Sequence, residues 1–193
     1  MAKQENAAVC RWTWNRWGAA ALAAALAWIP GSPAAQKIPR ADSVVKPKSY
    51  VSADMVPRGM AFEIAVVAEV APGFHINSNR PNEDYLIPTE VKAETPAGIQ
   101  LQGTTYPKAK SQKFEFSDTK LAVYDGRVVV VLKLGVALDA PLGAMKIPMT
   151  LKYQACNDYA CLPPVKLPVS AELSILVAGA KARFVNQQIF QRK

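Results

Sequence analysis

The chain of 193 residues has a formal net charge of +8, with three cysteines and one histidine. Its length supports one domain with a sizeable core but not comfortably two. The positive charge is spread out, and the two locally basic stretches, Lys108–Lys113 and Arg192–Lys193, lack the interleaved aromatic residues of a nucleic-acid-binding surface, so no nucleic-acid partner is expected.

The first 35 residues have the pattern of a cleaved export signal. Basic residues, among them Arg11 and Arg16, precede a thirteen-residue apolar run, Trp17–Ile29, and small residues follow it. The alternative is an uncleaved membrane anchor, but the run is shorter than the roughly 20 residues of a membrane span. Both interpretations place the rest of the chain outside the cytoplasm, and we expect a periplasmic protein in which disulfides persist. Cleavage near Ala35 removes Cys10 and leaves 20 Lys and Arg against 14 Asp and Glu, a net charge of +6.

The remaining chain is predicted to contain a leader, a domain and a tail. Residues 36–49, with two prolines and several lysines, are predicted to be a flexible leader. Residues 50–177 are predicted to form the domain. Residues 178–193 are predicted to be a C-terminal tail, with a weak helical pattern from Ala180 to Phe190.

The domain is predicted to consist of β-strands nearly throughout. Apolar residues alternate with polar or small ones in three runs, and a fourth run is rich in valine and predicted to be buried on both faces. The alternating runs are Met60–Val70, Met145–Tyr153 and Val165–Ile175, and the valine-rich run is Arg127–Leu138. Pro148 and Pro168 place their strands at sheet edges or bulges. Short strands with frequent Pro-Gly and Asp-Gly turns predict an antiparallel sandwich or barrel.

The segment Tyr153–Pro164 is the most informative part of the domain. It holds Cys156 and Cys161, the only two cysteines beyond the predicted signal, between two strand-like runs. Residues 157–160 are predicted to be a hairpin loop, which places the cysteines opposite each other within disulfide reach. A disulfide across so short a loop contributes only about 2 kcal/mol through chain entropy, so it is better suited to electron exchange than to stabilising a fold.

The sequence indicates neither a metal site nor a cofactor. His75 with the two cysteines falls short of the four ligands of a structural zinc site, so we interpret it as an ordinary strand-edge histidine. A phosphate-binding glycine loop and a nucleophilic serine elbow are both absent from the sequence, which sets aside nucleotide and hydrolase chemistry.

The cysteine segment, YQACNDYACLPP at 153–164, resembles the redox segment of the N-terminal periplasmic domain of the DsbD thiol:disulfide interchange family. Three further stretches support the resemblance, which covers roughly residues 50–176. They are Pro72–Asn79, Lys113–Ser117 and Val123–Gly126.

The resemblance implies an immunoglobulin-like sandwich whose cysteine pair, Cys156 and Cys161, shuttles electrons to periplasmic thioredoxin-fold partners, namely disulfide isomerases and cytochrome c maturation thioredoxins. It also implies that Cys161 joins the partner in a mixed disulfide, which Cys156 resolves. A cap loop is expected to shield the pair, and Phe114 or Phe116 matches its aromatic residue. The chain ends at Lys193 without a membrane electron channel, so the expected electron donor is a separate membrane thiol reductase.

This sequence departs from familiar family members in two respects. Four residues separate the cysteines where those members have five, and His75 and Asn77 lie near positions that are tyrosines there. The hydrogen bonding around the thiols is therefore expected to differ.

Two further expectations concern proton transfer and the competing class of function. Asp158 and Glu115 are candidate acceptors for the thiol proton, the alternative being two solvated carboxylates. The competing function is an exported immunoglobulin-like binding or structural module with an inert disulfide, for which the expected reduction potential is below about −300 mV. A third alternative, metal delivery, requires metal uptake by the reduced protein. A monomer is sufficient for each of these functions.

Overall fold

A computed structural model of the chain describes residues 39–191. After a 3₁₀ turn at Ala41–Ser43, the elements are β1 (Val45–Val51), β2 (Ala53–Pro57), β3 (Ala61–Val70), β4 (His75–Asn77), β5 (Glu90–Ala93), β6 (Ile99–Thr105), β7 (Lys110–Lys113), β8 (Lys120–Tyr124), β9 (Arg127–Val136), β10 (Gly143–Tyr153), β11 (Ala155–Cys156), β12 (Val165–Leu176), β13 (Arg183–Phe184) and α1 (Gln187–Phe190). Within residues 39–191 no helix is long and apolar enough to cross a membrane.

The strands form three sheets. Their orders are β1-β3-β9-β6, β13-β2-β12-β10-β5 and β11-β4-β8-β7. Among the described strands the pairings are antiparallel, apart from a short parallel pairing of β2 with β12. The all-β, immunoglobulin-like antiparallel sandwich expected from the sequence is therefore confirmed.

The main core lies between the first two of these sheets. On β9 the buried residues alternate from Val128 to Val136, and on β10 they alternate from Ile147 to Tyr153. Successive side chains of a strand point to opposite faces, so this period of two directs one face of each strand into the core. The third sheet carries a second, smaller apolar cluster, which consists of Leu86, Phe114, Leu121 and Val123 with Phe116 packed against it.

The structure corrects the predicted flexible leader at residues 36–49. Strand β1 pairs along its whole length with β3, from Val45 opposite Val70 to Val51 opposite Ile64. Val44 and Val45 are buried in the main core, and the buried hydroxyl of Tyr153 donates a hydrogen bond of 2.7 Å to the carbonyl of Ala41. Burying two valines outweighs the disorder that the nearby prolines and lysines favour, so residues 41–49 belong to the folded domain.

The turns that bring the third sheet into place are those predicted from the sequence. Gly126, in the Asp125-Gly126 turn between β8 and β9, has φ of 60°, and Gly73, before β4, has φ of 77°. These backbone angles strongly favour glycine. Beyond β12, the predicted tail contains β13 and the four-residue helix α1. The predicted export signal, residues 1–35, lies outside the described residues.

Candidate functional site

The cysteine segment forms a tight hairpin at the end of the third sheet. The amide of Asn157 donates to the carbonyl of Ala160 at 3.0 Å, and the amide of Leu162 donates to the carbonyl of Ala155 at 2.8 Å. The Asn157 side-chain oxygen accepts from the amides of Tyr159 and Ala160, at 3.0 and 2.9 Å, which closes the turn. The four-residue loop predicted at 157–160 is thus formed.

Cys156 and Cys161 are joined by a disulfide, with Cα atoms 3.9 Å apart. The two cysteines differ sharply in their exposure. Cys156 is fully buried on β11, whereas Cys161 is exposed after the loop and is followed by the exposed Pro163 and Pro164. A docking protein can therefore reach Cys161 directly, while Cys156 is reached only after the surrounding structure moves.

The partner strand of β11 places the single histidine beside the buried cysteine. In the antiparallel register Cys156 lies opposite His75, and Ala155 lies opposite Ile76. Ile76 and Ala155 belong to the main core, so His75 and Cys156 share the other face of these strands. His75 is only 4% exposed and lies on β4, between β11 and β8. The interpretation of His75 as a strand-edge residue is therefore wrong.

The segment between β7 and β8, residues 114–119, is called the cap loop here. The ring of Phe114 stacks on His75, with ring centroids 4.0 Å apart and planes inclined by 20°. Phe116 stacks in turn on Phe114, with centroids 5.4 Å apart. Phe114 is buried and Phe116 is half-buried. The two aromatic residues predicted for a cap thus cover the cross-strand neighbour of Cys156.

His75 is held in an uncharged form. Burial lowers the pKa of its imidazole to about 4, and the charges of Asp158 and Asp125 oppose this shift only in part. The Nε2 atom of His75 is buried and has no hydrogen-bond partner among residues 39–191. A buried nitrogen without a partner is costly in a folded protein and calls for a physical explanation.

A cleft of about 390 Å³ opens beside His75, and it is also lined by Phe74, Gln112, Asp125 and Asp158. The carboxylate of Asp125 forms an ion pair with Lys110. Asp158, predicted as a proton acceptor, is exposed at this cleft. Glu115, the other predicted acceptor, is exposed on the cap loop and is not among the residues that line the cleft.

The sequence did not predict a network of side-chain amides beneath the hairpin. The buried Asn77 side chain donates to the side-chain oxygen of Gln154 at 3.3 Å, and the Gln154 side chain donates to the carbonyl of Leu162 at 3.3 Å. Gln154 is the residue at which the chain passes from β10 to β11. Its position two residues before Cys156 was visible in the sequence, but its partner Asn77 was not, since the two are 77 positions apart.

The described residues offer no metal site, because they contain no group of three or more His, Cys, Asp or Glu side chains that could hold an ion. The chemistry available here is that of the cysteine pair, an uncharged imidazole beside it, and carboxylates at the edge of the cleft.

A family model and several solved structures are similar to this chain. The family model described as "Thiol:disulfide interchange protein DsbD, N-terminal" matches residues 41–171. Among solved structures, the N-terminal periplasmic domain of ScsB from Proteus mirabilis is similar, with 13% identity and a TM-score of 0.47. The match covers 68% of this chain and 47% of that one, so this chain spans about half the length of the ScsB chain. The structure of the complex between the DsbD N-terminal and the PilB N-terminal domains from Neisseria meningitidis is similar at 16% identity, with a TM-score of 0.45, and the match covers 69% of this chain and 85% of that one. No curated protein sequence matches the chain.

Proposed function

Since the chain belongs to the family of the N-terminal domain of the thiol:disulfide interchange protein DsbD, we propose that Cys156 and Cys161 pass electrons between a membrane thiol reductase and thioredoxin-fold proteins. The observation that carries the proposal is the asymmetry of the disulfide, with Cys161 exposed and Cys156 buried. An exchange reaction needs one sulfur that a partner can attack and a second that stays within the same molecule to resolve the intermediate.

Exchange proceeds in two steps. In the direction that reduces a partner, the Cys161 thiolate attacks the partner's disulfide and one partner thiolate leaves. Cys156 then attacks Cys161, which re-forms the Cys156–Cys161 bond and releases the second partner thiolate. Two electrons pass to the partner, and the reverse sequence recharges the pair from the donor. The exposed Pro163 and Pro164 stiffen the chain beside Cys161 and provide an apolar rim for docking.

The partners of this proposal are soluble thioredoxin-fold proteins, either a disulfide isomerase or a cytochrome c maturation thioredoxin. The donor is a membrane thiol reductase of the same system. Family membership supports both assignments. The proposed place of action is the periplasm, and the export-signal pattern of residues 1–35 supports it. Mass spectrometry of the native protein tests this location. We expect a mature N-terminus near Ala35 or Gln36. An intact N-terminus that carries Trp12 would contradict the proposed export.

Trapping of the mixed disulfide tests the function and the two cysteine roles together. The Cys156→Ala variant keeps the exposed Cys161 but cannot resolve the intermediate, so it is expected to accumulate a covalent complex with an oxidised thioredoxin-fold isomerase. The Cys161→Ala variant is expected to form none, because Cys156 is buried. The complexes are read on a non-reducing gel, and the Cys156→Ala/Cys161→Ala double variant is the matched control.

Two results of the trapping experiment contradict the proposal in different ways. A complex formed only by Cys161→Ala reverses the two cysteine roles. Failure of both single variants with every isomerase and maturation thioredoxin tried favours a binding module with an inert disulfide.

A further inference from the structure

The resolving step leaves the proton of Cys156 without an assigned acceptor. Cys156 is fully buried, so water does not reach it freely while the hairpin is in place. A buried thiol ionises less readily than an exposed one, because the thiolate loses its hydration. A nearby acceptor for the proton therefore has a large effect on how fast Cys156 can attack.

His75 is in the position of such an acceptor. It lies directly opposite Cys156 in the β4–β11 register, and its side chain is on the same face. Cβ atoms of directly opposed residues in an antiparallel pair are about 4.5–5.5 Å apart, within reach of an imidazole and a thiol. The buried Nε2 atom has no partner among the described residues, so it is available for a proton.

We propose that His75 Nε2 accepts the proton of Cys156 when this thiol resolves the mixed disulfide, and returns it when the Cys156–Cys161 bond is reduced. This inference rests on the proposed function, since it assigns a proton acceptor to the same site. It also gives a role to a side chain that differs from the tyrosine found near this position in familiar family members.

The resolving step balances as follows. The Cys156 sulfur forms a bond to the Cys161 sulfur, and the bond between Cys161 and the partner's sulfur breaks. The electron pair of that bond leaves with the partner as a thiolate. The proton of Cys156 passes to Nε2 of His75, whose other ring nitrogen carries the hydrogen of the uncharged imidazole. The products are the intramolecular disulfide, a partner thiolate and an imidazolium.

The surroundings of His75 act on both sides of the transfer. Phe114 and Phe116 cover the ring and keep it uncharged, which is the form that accepts a proton, although the same burial makes it a weaker base. Asp158 on the hairpin loop and Asp125 after β8 stabilise the imidazolium once it forms, although Lys110 on β7 neutralises part of the Asp125 charge.

The cap loop itself adds two acidic residues to these surroundings, Glu115 and Asp118, both of which are exposed. Lys113, the last residue of β7, lies at the base of the loop, and its ammonium group donates to the carbonyl of Ser117. The cleft beside His75 gives the proton a route to solvent past Asp158.

The alternative is that His75 only fills space beneath Phe114, in which case any flat ring serves equally well. His75→Phe distinguishes the two roles, because phenylalanine keeps the stacking on Phe114 but cannot accept a proton. His75→Gln is the second variant, which is polar but not basic. Every protein in the experiment is the full chain carrying Cys10→Ser, so that the two thiols of the site are the only ones.

The experiment follows the reaction of the reduced protein with dithiobis(nitrobenzoate), which releases one thionitrobenzoate when it modifies Cys161 and a second when Cys156 resolves that adduct. The second release is intramolecular and reports the proposed step without any protein partner. At pH 7 we expect it to slow by about 100-fold or more in both His75 variants, a typical loss for a missing general base. The first release should be unchanged, and the rates should converge near pH 10, where the thiol ionises unaided.

A second-release rate and pH profile in His75→Phe equal to those of the parent overturn the proposal. If both variants fail to fold, NMR titration of the single imidazole in the parent protein decides the question. The proposal predicts a higher imidazole pKa in the reduced than in the oxidised protein, and an imidazole pKa in Cys156→Ser that stays at the value of the oxidised protein. An equal pKa in both states overturns it. Failure of the proposed function appears instead as absent trapping of protein partners while the second release remains normal.

Discussion

At the scale of single residues, the site consists of an exposed cysteine, a buried cysteine and a buried imidazole. The cysteine pair and its loop could be predicted from the residues around them, whereas Phe114 and Phe116 were expected only from the family resemblance. The role of His75 could not be predicted in this way. β4 is only three residues long, too short for a periodic pattern, and its pairing with β11 joins residues about 80 positions apart.

His75 makes the stability of the oxidised protein depend on pH. Its folded pKa of about 4 lies below the unfolded value of 6.5, so the unfolded chain binds more protons between these values. Stability is therefore full above about pH 6.5 and falls as the pH drops towards 4, by about 3 kcal/mol. Urea unfolding at pH 7, 5.5 and 4.5 measures this loss.

His75→Phe is the matched variant for the pH measurement, and it should remove most of the loss between pH 6.5 and 4.5. The chain has no other histidine that could titrate in this range. Equal pH dependence in His75→Phe and the parent protein argues against a buried, uncharged imidazole.

The covering of His75 by Phe114 leads to a second prediction. Phe114→Ala should speed reduction of the disulfide by dithiothreitol, because it opens the side of the buried Cys156. Phe116→Ala should have a smaller effect, since Phe116 is half-buried and its ring centroid lies 6.5 Å from that of His75. Phe184→Ala is the control, because Phe184 is exposed on β13. If the reduction rates of both variants equal that of the parent protein, the cap loop does not shield the disulfide.

At the scale of elements, the cap loop is held both by its own bonds and by contacts with neighbouring segments. The Ser117 hydroxyl bonds to the backbone of Thr119, and Lys113 bonds to the carbonyl of Ser117. The Thr119 hydroxyl donates to the carboxylate of Glu83, and the ring of Phe114 fixes the loop to the third sheet. None of these contacts belongs to the ladders of the first two sheets.

The prolines show where local sequence rules fail at this scale. β10 and β12 were expected at edges or bulges, yet both are interior strands of the second sheet. The carbonyl of Pro148 accepts from Glu94, so Pro148 faces β5 rather than β12. Pro168 is paired with Thr150, which is two positions after Pro148, so the backbone groups of Pro168 likewise point away from β10. The pairing of β12 with β2 begins only at Ser174 and does not reach Pro168. Neither proline therefore removes an amide from the β10–β12 ladder.

The burial of β3 and β9 also differs from what their sequence patterns predicted. The alternating run at β3 was expected to be half-buried, but Ala65–Ala68 are buried on both faces. The valine-rich run at β9 was expected to be buried on both faces, but Lys133 is exposed and the residues around it alternate. Ala65–Ala68 lie in the part of β3, Ile64–Glu69, that is paired with both β1 and β9.

The N-terminal boundary gives a prediction at the scale of elements. A chain that begins at Arg40 should fold as stably as one that begins at Gln36. A chain that begins at Tyr50 loses most of β1 and the burial of Val44 and Val45, so it should lose about 3–5 kcal/mol of stability. Urea unfolding of the three chains measures the difference. If all three chains are equally stable, residues 40–49 do not contribute to the stability of the domain and the prediction is wrong.

At the scale of the whole molecule, the domain joins two sheets that enclose the main core to a third, smaller sheet that carries the cysteine pair. The all-β class was predictable, because β10 and β12 keep a clear period of two and glycines mark the turns. The placement of the third sheet was not, because it depends on pairings among very short strands. Family membership adds thiol-disulfide exchange to this fold, and the difference in exposure between Cys156 and Cys161 supports the two roles proposed for them.

The central claim is that the Cys156–Cys161 bond is labile and exchanges electrons. The reduction potential of the protein, measured at equilibrium in glutathione buffers of graded composition, tests it most directly. We expect a value between about −180 and −280 mV, the range of proteins that exchange disulfides, because Cys161 is exposed and the closed loop is short. A potential below about −300 mV, typical of structural disulfides, contradicts the claim and identifies the bond as inert.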